Sequence, residues 1–74
     1  MPKIAPVHHR ELVRFFEGHG FVFKRQKGDH MMYWKRDIER PVVIPTYGKV
    51  PVFIIMNNLH TAGITRDEYL DEIK

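Results

Sequence analysis

Four consecutive residues, Lys27-Gly28-Asp29-His30, place a cation, a turn sequence and an imidazole side by side. Gly-Asp favours a tight turn, so a turn between two strands would hold His30 at a fixed point on a sheet edge. Imidazole titrates near neutrality and is the usual proton-transfer group of enzymes that work without a metal. Basic residues around the imidazole suit a phosphodiester substrate, because its phosphate is negatively charged. The stretch therefore predicts a small ribonuclease whose chemistry depends on His30.

Cleavage of RNA by one histidine also needs groups that bind phosphate. A base must take the proton of the 2′-hydroxyl, an acid must protonate the leaving 5′-oxygen, and donors must stabilise the charged transition state. One imidazole contributes roughly 10²–10⁴-fold, and oriented cations could add a comparable factor. DNA lacks the 2′-hydroxyl, so we expect activity on RNA only. The candidate phosphate contacts are Arg25, Lys27, Lys35 and Lys49, together with the backbone N–H at Gly28.

The other four histidines are weaker candidates. His8 and His9 begin a predicted helix, His19 ends it, and His60 lies off the apolar stripe of another helix. Isolated histidines mostly have structural or solvent roles. No grouping of His, Asp and Glu has zinc-ligand spacing, and the chain has no cysteine. We therefore expect neither a metal nor another cofactor at the site.

The elements that must position His30 follow from periodicity and turn residues. Gly20 suits the end of the first helix, and Thr65 with Glu68 forms a capping box for the last. Short sequential strands with tight connections favour an antiparallel meander with helices on one face. We predict a single α+β domain over 1–74 in the order α-β-β-β-α. Its predicted elements are helix 8–19, strands 21–26, 30–36 and 41–45, helix 50–62 and a last short helix after Thr65.

Alternation along the second strand divides its side chains between two faces. His30, Met32 and Trp34 share one face, while Met31 and Tyr33 share the other. If the His30 face is open, Trp34 could stack on a base, as aromatic residues do in proteins that bind single-stranded RNA. If that face is buried, Trp34 and Met32 are simply core residues. Both faces carry apolar groups, so the sequence leaves the choice open.

Charge is unevenly distributed along the 74 residues, whose net charge is +3. Residues 21–50 contain seven Lys or Arg against three acids, whereas residues 66–74 contain two bases against four acids. This asymmetry favours a sheet that faces a polyanion and a C-terminal helix that points elsewhere. The absence of cysteine and of any long apolar run leads us to expect a cytoplasmic protein.

Several short motifs, in order, resemble the HicA-type (YcfA-like) toxins of bacterial and archaeal toxin–antitoxin modules. They are Gly20-Phe21, the run from Arg25 to His30 with Tyr33 after it, Val43-Ile44-Pro45, and the run from Leu59 to Tyr69. The resemblance implies a fold similar to a double-stranded-RNA-binding domain. It also implies an mRNA-cleaving toxin whose essential histidine corresponds to His30, held inactive by a HicB-like antitoxin.

The chain departs from the pattern of these toxins at three places. Asp29 replaces the serine that commonly precedes the histidine, which puts an anion beside the imidazole. Tyr47 stands where a second histidine is frequent, and Phe53-Ile54 replaces the Gly-Thr that usually opens the second helix. The first two departures bear on the site, and the third bears on packing.

Three hypotheses for function remain open. The first is a toxin ribonuclease, and the second is a non-catalytic module that binds RNA through its shape. The third is a protein-interaction subunit in which His30 is a buried turn residue. For the first, we expect the antitoxin to cover the His30 face with partly acidic contacts.

Overall fold

The computed structural model describes residues 3–46 and 48–73. Its elements are, in chain order, β1 (Val7–His8), α1 (His9–Gly18), β2 (Val22–Lys27), β3 (His30–Trp34), β4 (Val42–Pro45), β5 (Lys49–Val50), α2 (Val52–Ala62) and α3 (Arg66–Glu72). No helix in these ranges is long and apolar enough to cross a membrane.

The three central strands form one antiparallel sheet in the order β2-β3-β4. This confirms the predicted α+β class and the three-stranded meander. A second, two-stranded sheet pairs Val7 with Val50 and His8 with Lys49. This sheet was not predicted, and Val50 was predicted to belong to the second helix. The pairing joins residues far apart in the chain, and strands of two residues have no local periodicity.

Strand β3 has one buried face and one exposed face. Tyr33 is only 5% exposed, and Met31 packs against the hydrophobic core, whereas His30 and Trp34 are exposed. This decides the question that the sequence left open, because the face carrying His30 is the open one. The buried hydrophobic side chains are Leu12, Phe15, Phe16, Phe21, Tyr33, Val42, Ile44, Val50, Ile55, Leu59 and Tyr69.

The helices begin and end close to the predicted positions. His8 caps α1, since its Nδ1 accepts a hydrogen bond from the backbone N–H of Arg10 at 3.2 Å. Gly63 ends α2 in the left-handed conformation, with φ 71°. Thr65 caps α3 as predicted, because the backbone N–H of Glu68 donates to its hydroxyl at 3.1 Å.

Asn58 fastens α2 to the outer edge of the sheet. Its Nδ2 donates to the carbonyl of Val43 at 2.8 Å, and its Oδ1 accepts from the N–H of Val43 at 3.3 Å. The side chain therefore satisfies the backbone of edge strand β4 as a neighbouring strand would. Helix α2 is held alongside β4 by these two bonds.

Candidate nucleic-acid interface

The turn before β3 is fixed by contacts from two sides. Gly28 adopts a left-handed conformation with φ 58°, which glycine reaches at little cost. The carbonyl of Asp29 accepts hydrogen bonds from the backbone N–H and the hydroxyl of Thr46, at 2.8 and 3.1 Å. Gln26 Nε2 donates to the carbonyl of Gly28 at 3.0 Å. These bonds hold the backbone that presents His30 in one place.

His30 is the first residue of β3 and lies between the two outer strands. Its Cα partners are Lys27 on β2 and Pro45 on β4. Side chains of directly paired residues point to the same face, with Cβ atoms about 4.5–5.5 Å apart. The side chains of His30 and Lys27 therefore project from the same, exposed face of the sheet.

A bulge in β2 brings two more cations to this side. Phe23 pairs with Tyr33 and Arg25 pairs with Met32, so Lys24 has no partner on β3. The extra residue resets the alternation, which lets Lys24 and Arg25 point the same way. Lys24 Nζ lies 5.7 Å from the centroid of the Trp34 ring, close enough for a cation–π contact.

Together these side chains form a surface that we call the open face. Arg25 Nε donates to Met32 Sδ at 3.4 Å, and Trp34 retains 37% of its surface exposed. The surface combines three cations, one imidazole and one aromatic ring. The open face consists of Lys24, Arg25, Lys27, His30, Met32 and Trp34.

A cleft adjoins the open face on the side of α2. Its volume is about 500 Å³. His30 lies in its wall together with His60, which is a weak candidate by sequence alone. No local pattern shows that α2 lies against β4, so the sequence could not bring these two histidines together. The polar residues in the wall are His30, Arg40, Asn57, Asn58, His60 and Thr61.

Two of the predicted phosphate contacts, Lys35 and Lys49, lie outside the strands β2, β3 and β4. Lys35 follows the far end of β3, five residues from His30, which is roughly 16 Å along a strand. Its Nζ lies 5.7 Å from the centroid of the buried Phe21 ring. Lys49 lies in β5, paired with His8 in the two-stranded sheet. The structure therefore brings Arg25, Lys27 and Gly28 around His30, but it does not bring Lys35.

Other titratable groups make contacts that indicate a structural role. His9 Nδ1 contacts the Gly48 carbonyl at 3.2 Å, and His19 Nε2 contacts Glu72 at 2.9 Å. Burial, with a smaller contribution from Glu17, raises the pKa of Tyr33, so this phenol stays protonated behind the sheet. In the described ranges, no group of three His, Cys, Asp or Glu could hold a metal ion. Tyr47, which replaces the second histidine of similar toxins, lies outside the described residues.

The fold and this surface define a small α+β protein with a hydrophobic core on one side of its sheet and a basic open face on the other. A family model described as "HicA toxin of bacterial toxin-antitoxin" matches residues 9–64, which include the whole open face and the cleft. The chain belongs to the HicA toxin family. This membership assigns it a toxin role and implies an antitoxin partner in general. A comparison with curated proteins finds no match.

Proposed function

We propose that this toxin is a metal-independent endoribonuclease that cleaves mRNA, with His30 as its general acid and base. The observation that carries the proposal is the position of His30, which is exposed, held by a fixed turn and paired directly with Lys27. Membership in a toxin family supports it further. The cytoplasm, where mRNA is translated, is the proposed location.

The reaction begins at the 2′-hydroxyl of the RNA. His30 takes the hydroxyl proton while the 2′-oxygen attacks the adjacent phosphorus and the bond to the 5′-oxygen breaks. The imidazolium of His30 gives this proton to the departing 5′-oxygen, so that one product ends in a 5′-hydroxyl and the other in a 2′,3′-cyclic phosphate. Lys27 and Arg25 stabilise the negative charge that develops on the phosphoryl oxygens. Both are available because β2 is exposed along its whole length.

Trp34 supplies a stacking surface for a base at the other end of the open face. Its ring is partly exposed and Lys24 lies over it. Stacking of a base on an aromatic ring contributes about 1–3 kcal/mol and tolerates different bases. A single-stranded RNA could therefore be held by Trp34 while its phosphates lie along the cations of β2.

The antitoxin in this proposal is HicB-like and covers the open face. Three cations there, Lys24, Arg25 and Lys27, favour a partner with acidic contacts. Such a partner would block access to His30 and compete directly with RNA. A complex in which the partner contacts only α3 and leaves His30 accessible would contradict this arrangement.

A non-catalytic RNA-binding module is the second candidate function. The exposed Trp34 and the cationic strand β2 favour it, because stacking and phosphate contacts bind RNA without any proton transfer. The two candidates differ in one respect, which is whether the RNA is cut.

The test is RNA cleavage by purified protein in EDTA, with the new termini mapped. We expect the wild type to produce 2′,3′-cyclic phosphates and His30→Ala to be slower by roughly 10²–10⁴-fold. His19→Ala is a matched control, since it removes an imidazole that contacts Glu72 on α3. Equal activity of wild type and His30→Ala would contradict the catalytic role. RNA binding without cleavage by the wild type would select the second candidate.

A further inference from the structure

The wall of the cleft beside His30 contains polar side chains that have no role in the proposed cleavage step. Arg40, Asn57 and His60 are exposed, and their side chains have no hydrogen bond or ion pair to other residues in the described part of the chain. None of the three supports the hydrophobic core. Together they offer a guanidinium, an amide and an imidazole to whatever enters the cleft.

These side chains line the same cleft as His30. Asn58 is fixed opposite Val43, and Ile54 lies one turn before it, in the same wall as His30 and Pro45. From Ile54 to His60 is about 9 Å along an α-helix. The lining of the cleft therefore extends along more than one turn of α2, which leaves room for a nucleotide beside the phosphate that His30 would hold. His60, at the C-terminal end of this lining, is available to that neighbouring nucleotide.

We propose that this cleft binds the single-stranded RNA segment next to the cleaved bond. Arg40 and His60 contact the phosphate of a neighbouring nucleotide, and the Asn57 amide contacts its base. The inference rests on the proposed ribonuclease function and adds a second binding position to it. A volume of about 500 Å³ is within the range of small-ligand pockets, which suits one or two nucleotides.

The charge around the cleft indicates where the bound segment ends. Arg40 and His60 also line an adjoining depression, and Asp37 and Glu39 lie in its wall. Carboxylates there repel a phosphate backbone, so the strand is expected to leave the protein surface after the position held by Arg40. The cleft therefore holds a short segment and does not continue as a long groove.

The shape of the cleft and the side-chain amide of Asn57 favour single-stranded RNA as the ligand. Proteins recognise RNA sequence mainly on unpaired bases, whose edges are free to form hydrogen bonds. Asn57 offers both a donor and an acceptor, which matches the edge of a base. The apolar part of the wall, which includes Pro41, Val43 and Ile54, gives the base a surface to lie on.

The experiment compares two substrates that share one cleavage step, a dinucleotide and an octanucleotide. The double variant Arg40→Ala/His60→Ala is expected to lower kcat/KM for the octanucleotide roughly 10- to 100-fold, mainly through KM, because it loses charge-assisted hydrogen bonds to phosphate. Cleavage of the dinucleotide, which has no neighbouring nucleotide for Arg40 and His60 to contact, should be unchanged. Asn57→Ala should weaken the distinction between octanucleotides that differ at the adjoining base.

A matched control is Arg10→Ala/His19→Ala, which removes the same two side-chain types from α1 and its end, outside the cleft. This control should cleave both substrates as the wild type does. Equal losses on both substrates, or no loss on the octanucleotide, would overturn the proposal.

A binding measurement separates failure of this proposal from failure of the ribonuclease function. If the wild type cleaves neither substrate, the ribonuclease proposal fails and binding of a 2′-O-methyl octanucleotide decides about the cleft. Weaker binding by Arg40→Ala/His60→Ala than by the wild type and the α1 control supports the cleft as a binding position. Unchanged binding by that variant overturns it.

Discussion

Neighbouring residues of β3 have different roles because they lie on opposite faces of the strand. Tyr33 is 5% exposed and packs edge-on against Phe23, with ring centroids 5.7 Å apart. The next residue, Trp34, points to the open face and keeps 37% of its surface exposed. The core and the candidate site are therefore separated by the pleat of the sheet, so changes on one face should have little effect on the other.

Strand β2 shows the same division in a stronger form. All six of its residues are exposed, whereas three of the four residues of β4 are buried. An outer strand that contributes little to the core is free to carry Lys24, Arg25 and Lys27. Strand β4 instead packs under α1 and α2, and its edge is occupied by Asn58.

The largest effect that would test this division is on stability. Tyr33→Ala should lower the free energy of unfolding by about 3–5 kcal/mol, because a buried aromatic ring leaves a cavity. Trp34→Ala should lower it by less than about 1 kcal/mol and weaken RNA binding instead. Urea unfolding and RNA titration of both variants measure the two effects, and Tyr33→Leu replaces Tyr33→Ala if that protein does not fold. Similar destabilisation by Trp34→Ala and Tyr33→Ala would contradict the two-face account.

The link between α2 and β4 is the next test. Asn58→Ala should cost about 2–3 kcal/mol, since it removes two hydrogen bonds and leaves the N–H and carbonyl of Val43 without partners. Asn57→Ala is a matched control on the same helix, and its exposed amide should matter little to stability. Thermal unfolding of the two variants gives the comparison. Equal midpoints would show that Asn58 does not hold α2 in place.

Neutralising the open face should change binding without changing stability. The triple variant Lys24→Gln/Arg25→Gln/Lys27→Gln should bind RNA roughly 50-fold more weakly near physiological salt. The slope of log affinity against log salt should fall by about 2, at roughly 0.7 per single-strand phosphate contact. Arg10→Gln/Arg14→Gln on α1 is the control, for which the slope should stay unchanged. An unchanged slope in the triple variant would place the RNA elsewhere.

The smallest effect on stability is expected from removing the buried hydroxyl of Tyr69. The hydroxyl of Tyr69 is buried without a hydrogen-bond partner in the described part of the chain. Tyr69→Phe should therefore be at least as stable as the wild type at pH 7, by up to about 1 kcal/mol. A loss of more than about 1 kcal/mol would show that the hydroxyl has a stabilising contact.

The free energy of unfolding of Tyr69→Phe should depend on pH differently from that of the wild type. Burial, and to a smaller extent Glu11, raises the pKa of Tyr69 above its usual value of 10.0. The unfolded chain then loses its phenolic proton first, so this contribution to stability is complete below pH 10 and is lost as the pH rises above it. Tyr69→Phe should lose less stability than the wild type between pH 8 and pH 11, as measured by urea unfolding at each pH.

Much of the fold was predictable because its signals are local. The turn at Gly28, the cap at Thr65 and the helix end at Gly63 each depend on residues next to one another in the chain. The long-range pairs were not predictable in this way. Val50 belongs to β5 only because Val7 lies opposite it, so the second helix begins at Val52 and not at Val50.

The candidate site was predictable in part for the same reason. His30 and Lys27 are close in sequence and their pairing follows from the turn, whereas the position of Lys24 depends on a bulge that strict alternation does not show. Lys35 was predicted to bind phosphate near His30, but it follows the end of β3 that lies away from His30. His60 joins the cleft only through the packing of α2.

The most direct measurement is an NMR titration of the wild-type protein with a 2′-O-methyl RNA oligonucleotide, which binds but cannot be cleaved. If the open face receives RNA, the largest amide shifts should fall on residues 24–27 and 30–34. Shifts confined to α1 and α3, with β2 and β3 unaffected, would contradict the account.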